Sequence, residues 1–196
     1  MAVEFELKYS ADRATLAAID AAVTGPTTLY HMQTTYYDTA DADLAARRIT
    51  LRRRMENDRS ICTLKAPAKL GRAEYELVCH DIQRAIPELC KLADLETLLP
   101  VLEKGVRPVC GAEFTRIAKT LVLAGATAEL ALDSGFLLGG SCRLPLCEVE
   151  VELKSGDFQV VAAYAASLAR QYGLIPEKAS KFARAQALAQ EEDHGV

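Results

Sequence analysis

Carboxylate and cationic side chains recur in this sequence at spacings of two, and those spacings indicate a shared chemistry. Glu4, Glu6 and Lys8 alternate with Val3, Phe5 and Leu7. Arg52 and Arg54 lie opposite Leu51 and Arg53, while Lys65 keeps step with Thr63. Arg72, Glu74 and Glu76 alternate with Ala73, Tyr75 and Leu77; Glu129 and Asp133 oppose Leu130 and Leu132. Glu148, Glu150, Glu152 and Lys154 alternate with Val149, Val151 and Leu153. Residues two apart on a strand share a face, so each set is a charged face backed by an apolar one.

Taken alone, any one such strand is an ordinary half-buried strand with a solvated face. Glu-x-Glu occurs in three of them, however, and like charges roughly 7 Å apart repel unless something cationic intervenes. The charges are also sorted into acid clusters and arginine clusters. A charged face turned inward is costly unless ions, water and ligand fill the interior. Hard carboxylate clusters suit Mg²⁺, Mn²⁺ or Ca²⁺. Arginine pairs bind phosphate oxygens bidentately, and lysines add point charges. Together they point to a polyanion bridged by divalent metal, a di- or triphosphate. His31, His80 and His194 are scattered, and Cys62, Cys79, Cys90, Cys110, Cys142 and Cys147 form no C-x-x-C pair, so no Cys/His zinc site is expected. No Ser/His/Asp or Cys/His nucleophile stands out, which disfavours a covalent phosphoenzyme.

The elements that must position these groups are mostly strands. Strand periodicity marks residues 3–9, 27–38, 48–55, 60–66, 72–79, 106–123, 127–138 and 144–154. Helical spacing marks 12–23, 158–172 and 177–192; residues 41–46 read as a short turn or helix. Residues 81–104 read as helix broken at Pro87 and Pro100. Glu56-Asn57-Asp58 reads as a hairpin turn, and 67–71 as a loop. No repeat, linker or low-complexity tract divides the chain, so residues 1–196 read as one domain. About eight strands with few helices give an antiparallel α+β fold, and closure into a barrel removes the sheet edges.

Composition is that of a soluble globular protein, 50% hydrophobic and 26% charged. A net charge of −4 argues against a general nucleic-acid binder. Between Arg47 and Arg72 nine basic residues stand against Glu56 and Asp58, while the remainder carries 14 basic and 25 acidic groups. One basic segment in an acidic protein suits a defined anionic ligand. Apolar runs fall short of the roughly 18 residues a membrane helix needs. Charge begins at Glu4, so no signal peptide is expected, and the cysteines read as reduced thiols in a cytoplasm.

Glu4-Phe5-Glu6-Leu7-Lys8 resembles the E-x-E-x-K signature of the CYTH superfamily, the triphosphate tunnel metalloenzymes. That superfamily includes class IV adenylate cyclases, thiamine triphosphatases, fungal-type RNA triphosphatases and bacterial inorganic triphosphatases. The resemblance continues in order through Thr35-Tyr36-Tyr37-Asp38-Thr39, Leu51-Arg52-Arg53-Arg54, Thr63-Leu64-Lys65 and Arg72-Ala73-Glu74-Tyr75-Glu76. Phe114-Thr115-Arg116, Glu129 to Asp133, Glu148 to Lys154 and Ser180-Lys181-Phe182-Ala183-Arg184 complete it over nearly the whole chain. The resemblance implies a closed eight-stranded antiparallel barrel around an anion-filled tunnel. It also implies Glu4, Glu6, Glu150 and Glu152 as leading metal ligands, with Glu74, Glu76, Glu129 and Glu148 nearby. Lys8, Arg52, Arg54, Lys65, Arg72, Arg116, Lys181 and Arg184 would grip phosphates. Which two of Glu148, Glu150 and Glu152 carry the metal stays open.

The implied reaction is in-line attack of water on a terminal phosphoryl group, assisted by two ions, Mg²⁺ or Mn²⁺. Glu6, Lys8, Arg52 and Arg54 would be its catalytic groups, the cations stabilising the charge. Inorganic tripolyphosphate is the leading substrate, because the compact chain shows no base-recognition insertion. Nucleoside or thiamine triphosphate, adenylate cyclase activity, and a non-catalytic polyphosphate-binding module are the alternatives. No nucleic-acid or membrane partner is expected, and apolar outer faces leave room for a homodimer. Tyr36 and Tyr37 read as packing residues, Arg53 as outward-facing, His31 and His80 as strand-edge groups, and Gly139-Gly140 as a loop.

Overall fold

The structure, a computed structural model, describes residues 2, 3, 5–68 and 72–193. Glu4, His194 and residues 69–71 of the expected loop lie outside the described residues. The first half contains β1 (Ala2–Val3), β2 (Glu6–Ser10), α1 (Arg13–Ala22), β3 (Thr27–Asp38), α2 (Asp43–Ala46), β4 (Thr50–Glu56), β5 (Arg59–Pro67) and β6 (Arg72–Val78). Then come α3 (Ile82–Leu92), a 3-10 turn (Glu96–Leu98), α4 (Leu99–Leu102), β7 (Arg107–Leu123), β8 (Ala126–Gly139) and β9 (Cys142–Gly156). The chain ends with α5 (Phe158–Tyr172), β10 (Ile175–Pro176) and α6 (Lys181–Asp193). No described helix is long and apolar enough to cross a membrane.

All strands join one antiparallel sheet in the order β1-β6-β5-β4-β3-β7-β8-β9-β2-β10. The fold is therefore α+β, and among the described residues no ladder closes this run into a ring. One end of the run, β1, and the last but one strand at the other, β2, are nevertheless neighbours in sequence. Ala2 and Val3 pair with Glu74 and Ala73 of β6, while Glu6 to Ser10 pair with β9. The separate pairing of Ala2–Val3, and the added pair at 175–176, give ten strands among the described residues where eight are expected.

Alternation decides which face each side chain takes. Leu130, Leu132, Val149 and Val151 are buried under α1 and α5, on the face opposite Glu129, Asp133, Glu148 and Glu150. Leu51, Cys62 and Leu64 are buried under α3, opposite Arg52, Thr63 and Lys65. Each buried Leu or Val contributes about 1.5–3 kcal/mol relative to exposure. A third cluster lies on the charged face itself. There Met32, Tyr36, Phe114, Leu137 and Leu146 pack with Phe182 and Ala185 of α6.

Two proline expectations change. Pro87 lies inside α3, which continues because Ile82, Ala85, Ile86, Leu89 and Cys90 bury one stripe together. The ring forfeits only the bond to the Gln83 carbonyl, in the first turn. The helix stops instead at Asp94, whose φ of 57° is left-handed. Pro100 opens α4, where a missing N–H costs little. The last helix starts at Lys181 and not at residue 177, because Ile175–Pro176 pairs with β2 first and Ser180 Oγ accepts from the Ala183 amide.

Candidate functional site

Register across β2, β9, β8 and β7 converts the sequence spacings into lateral rows. Glu6 faces Glu152, which faces Glu129; Lys8 faces Glu150; Glu148 faces Asp133, which faces Arg116. On the other flank Tyr36 faces Arg52, which faces Thr63, which faces Glu76. Thr50 faces Lys65, which faces Glu74. The sheet curls so that β2 through β9, together with α6, line one cavity of about 590 Å³.

Thirteen of the sequence-nominated site residues line that cavity: Glu6, Lys8, Arg52, Arg54, Lys65, Arg72, Glu74, Glu76, Arg116, Glu129, Glu150, Glu152 and Lys181. Glu4 lies outside the described residues. Glu148 and Arg184 stand apart from the lining, held against each other: Glu148 is fully buried and contacts both Lys181 and Arg184. Alternation also separates the two tyrosines. Tyr36 lines the cavity, while Tyr37 packs behind the sheet. Arg53 faces outward, donating to the His80 carbonyl.

The cations differ in how fully they are engaged. Arg52 donates to Glu74 at 2.9 Å, and Lys65 lies 3.2 Å from the same carboxylate. Arg54 contacts Glu56. Burial, and then the neighbouring Arg52 charge, lower its proton affinity. Arg72 is directed at the frame: it donates to the Arg48 and Lys65 carbonyls and to Thr50 Oγ1, at 3.1, 3.1 and 2.9 Å. Arg116 makes a bidentate pair with Asp133, at 2.7 Å twice, and also contacts Glu150. Burial opposes its charge, but those carboxylates hold it protonated. Lys8, by contrast, makes no ion pair among the described residues and opens on the cavity.

The acids separate likewise. Glu150 pays for burial but is held ionised, well below the usual carboxylate range, by Lys181 and Arg116. Glu6 goes the other way, raised to about 7 by desolvation and then by the Glu150 charge. Its exposed surface faces the cavity, where wall atoms displace bulk water, and no ion pair reaches it among the described residues. Lys154 lies 2.7 Å from Glu152 and 3.8 Å from Glu129.

Sequence reasoning left Lys154 and Glu56, which line the cavity, outside the site, although Lys154 continues the alternation of Glu148-x-Glu150-x-Glu152. It also missed the apolar wall of Tyr30, Met32, Phe114 and Phe182. No charge pattern marks that wall, and only the register places it beside Arg116 and Tyr36.

A family model, the CYTH domain, matches residues 2–185. The inorganic triphosphatase of Haemophilus influenzae is 29% identical over 155 residues, which are 76% of this chain and 44% of the relative. The chain thus spans less than half of that relative's length. Among solved structures, a Hippeastrum protein described as a candidate adenylyl cyclase with a dominant triphosphatase activity aligns with a TM-score of 0.66 at 20% identity, covering 97% of this chain and 96% of that one. The PH1819 protein of Pyrococcus horikoshii aligns at 0.59 with 19% identity, covering 97% and 99%. At such identities these likenesses establish the fold.

Proposed function

The chain belongs to the CYTH domain family, and from that premise we propose that it hydrolyses a small triphosphate, inorganic tripolyphosphate first, to diphosphate and phosphate. The observation that carries the reading is the cavity's sorting by charge. Lys8, Arg52, Arg54 and Lys65 meet there with the carboxylate row Glu6–Glu152–Glu129. A closed barrel is part of the proposal, with β1 and β2 together serving as the stave that closes it.

The residues present fit a divalent cation. The row offers only hard oxygen donors, and Glu6 keeps its proton to about 7 because desolvation and the Glu150 charge outweigh Lys8, Lys181 and Lys65. Glu6, Glu129 and Glu152 would hold Mg²⁺ or Mn²⁺, which when bound would neutralise phosphate charge and lower the pKa of water. Two ions remain the expected number. Lys8, which makes no salt bridge among the described residues, binds phosphate oxygens directly. Arg52 and Arg54 orient the terminal phosphoryl group and stabilise its charge as water attacks and the bond to diphosphate breaks. Arg72, itself on the cavity wall, fixes the strand ends that carry Thr50 and Lys65. All six cysteines are free thiols, which suits a reducing compartment such as the cytoplasm.

A second reading, an organic triphosphate such as a nucleotide or thiamine triphosphate, is favoured by the apolar wall of Tyr30, Met32 and Phe114. Phosphate release from tripolyphosphate, ATP and thiamine triphosphate, each with Mg²⁺, Mn²⁺ or EDTA, separates them. Metal-dependent turnover greatest on tripolyphosphate supports the lead; turnover greatest on an organic substrate moves the assignment. No release from any of the three removes the hydrolase reading.

A further inference from the structure

Helix α6 is seated on the sheet by an ammonium group. Asp133, Glu148 and Glu150 bring carboxylate oxygens within 4.8 Å of one another, close enough for one ion to be held by all three. Left to themselves, three such carboxylates would repel. Their centre is taken by Lys181, whose Nζ lies 2.9 Å from Asp133 and 2.6 Å from Glu150 and contacts Glu148. The four side chains are buried, at 0, 0 and 9% exposure for the acids and 11% for the lysine. Arg116 and Arg184 complete a set of three cations for three carboxylates.

Seating a helix does not require this. Desolvating each ion costs several kcal/mol, and the apolar contacts of Phe182 and Ala185 already give α6 a packing face. A site with metal-ligand geometry has been filled from within the chain. We propose that this cage is a cation site whose resident cation is the Lys181 ammonium. Lys181 is thus a positioning residue: it locks α6, aims Glu150, which the cage shares with the cavity, and excludes divalent ions from the cage. The inference stands apart from the reaction proposed above.

The test is Mn²⁺ binding to the full chain without phosphate ligands, counted by equilibrium dialysis, for wild type, Lys181→Met and Lys181→Arg. Lys181→Met binds one more Mn²⁺ per chain than wild type, and its α6 amides exchange faster in metal-free buffer. Lys181→Arg, which restores the charge, matches wild type in both. If Lys181→Met is unfolded without metal, Mn²⁺ restores its folded circular-dichroism spectrum but not that of Lys181→Met combined with Glu148→Gln. An unchanged Mn²⁺ count in folded Lys181→Met, or no recovery in the unfolded case, overturns the proposal. A wild type that binds no Mn²⁺ contradicts the metal dependence proposed above while leaving this increment intact.

Discussion

Replacing Arg52 with alanine separates ligand recognition from fold integrity. The guanidinium lines the cavity and donates to Glu74 at 2.9 Å, and Lys65 lies 3.2 Å from the same carboxylate. Truncation therefore removes a cavity-facing donor without leaving Glu74 bare of positive charge. Loss of the Glu74 bond alone costs about 2 kcal/mol, or roughly 4–8 °C in melting temperature for a chain of this size. The catalytic cost is that of a preorganised donor, about 10²–10³ in kcat. Phosphate release from tripolyphosphate with Mn²⁺, assayed well below the variant's melting point, reads the second effect free of the first. Activity within about threefold of wild type would refute the role given to Arg52, because a donor poised on the reacting phosphoryl group cannot be lost so cheaply. So would a loss that merely tracks the unfolded fraction.

Other perturbations test the frame and the acids. Leu130→Ala, at a fully buried site between β8 and the helices behind it, costs about 2–5 kcal/mol in urea unfolding, with kcat little changed in the folded fraction. Gly139→Ala puts a Cβ 2.5 Å from the Ala185 carbonyl oxygen and the Ala189 amide nitrogen, so α6 must shift; about 1–3 kcal/mol is lost and α6 exchanges faster. Glu6 holds its proton to about 7 in the folded chain but only to 4.5 when unfolded, so the folded state binds more protons between those values. Metal-free stability accordingly falls as pH rises from 4.5 to about 7 and is level above, and Glu6→Gln removes that contribution. Urea midpoints in EDTA at pH 5 and pH 8 check it.

Much of this site was legible in two-residue spacing. Glu6 with Lys8, Arg52 with Arg54, and Glu150 with Glu152 each share a face, and that face is the one turned to the cavity. Alternation works because a one-residue slip would bury the charges in the apolar layer and expose Val149 and Val151. Partnership across strands was not legible. Lys181 and Glu148 carry opposite charges 33 positions apart, and nothing local says that they meet and so withdraw Glu148 from the cavity. Arg72 lines the cavity, and the Arg48 and Lys65 carbonyls to which it donates are groups that only folding brings near it. Pro87 misled because a local rule gave way to a buried stripe spread along the whole of α3.

The central claim is that one cavity holds a triphosphate between cationic and carboxylate walls. It is tested most directly by crystals of Glu6→Gln grown with tripolyphosphate and those of wild type soaked with Mn²⁺, read by anomalous scattering. Phosphorus density is expected against Lys8, Arg52 and Arg54 in the first, and manganese beside Glu152 and Glu129 in the second. Phosphate and manganese found only on the outer surface, with the cavity holding water alone, would contradict it.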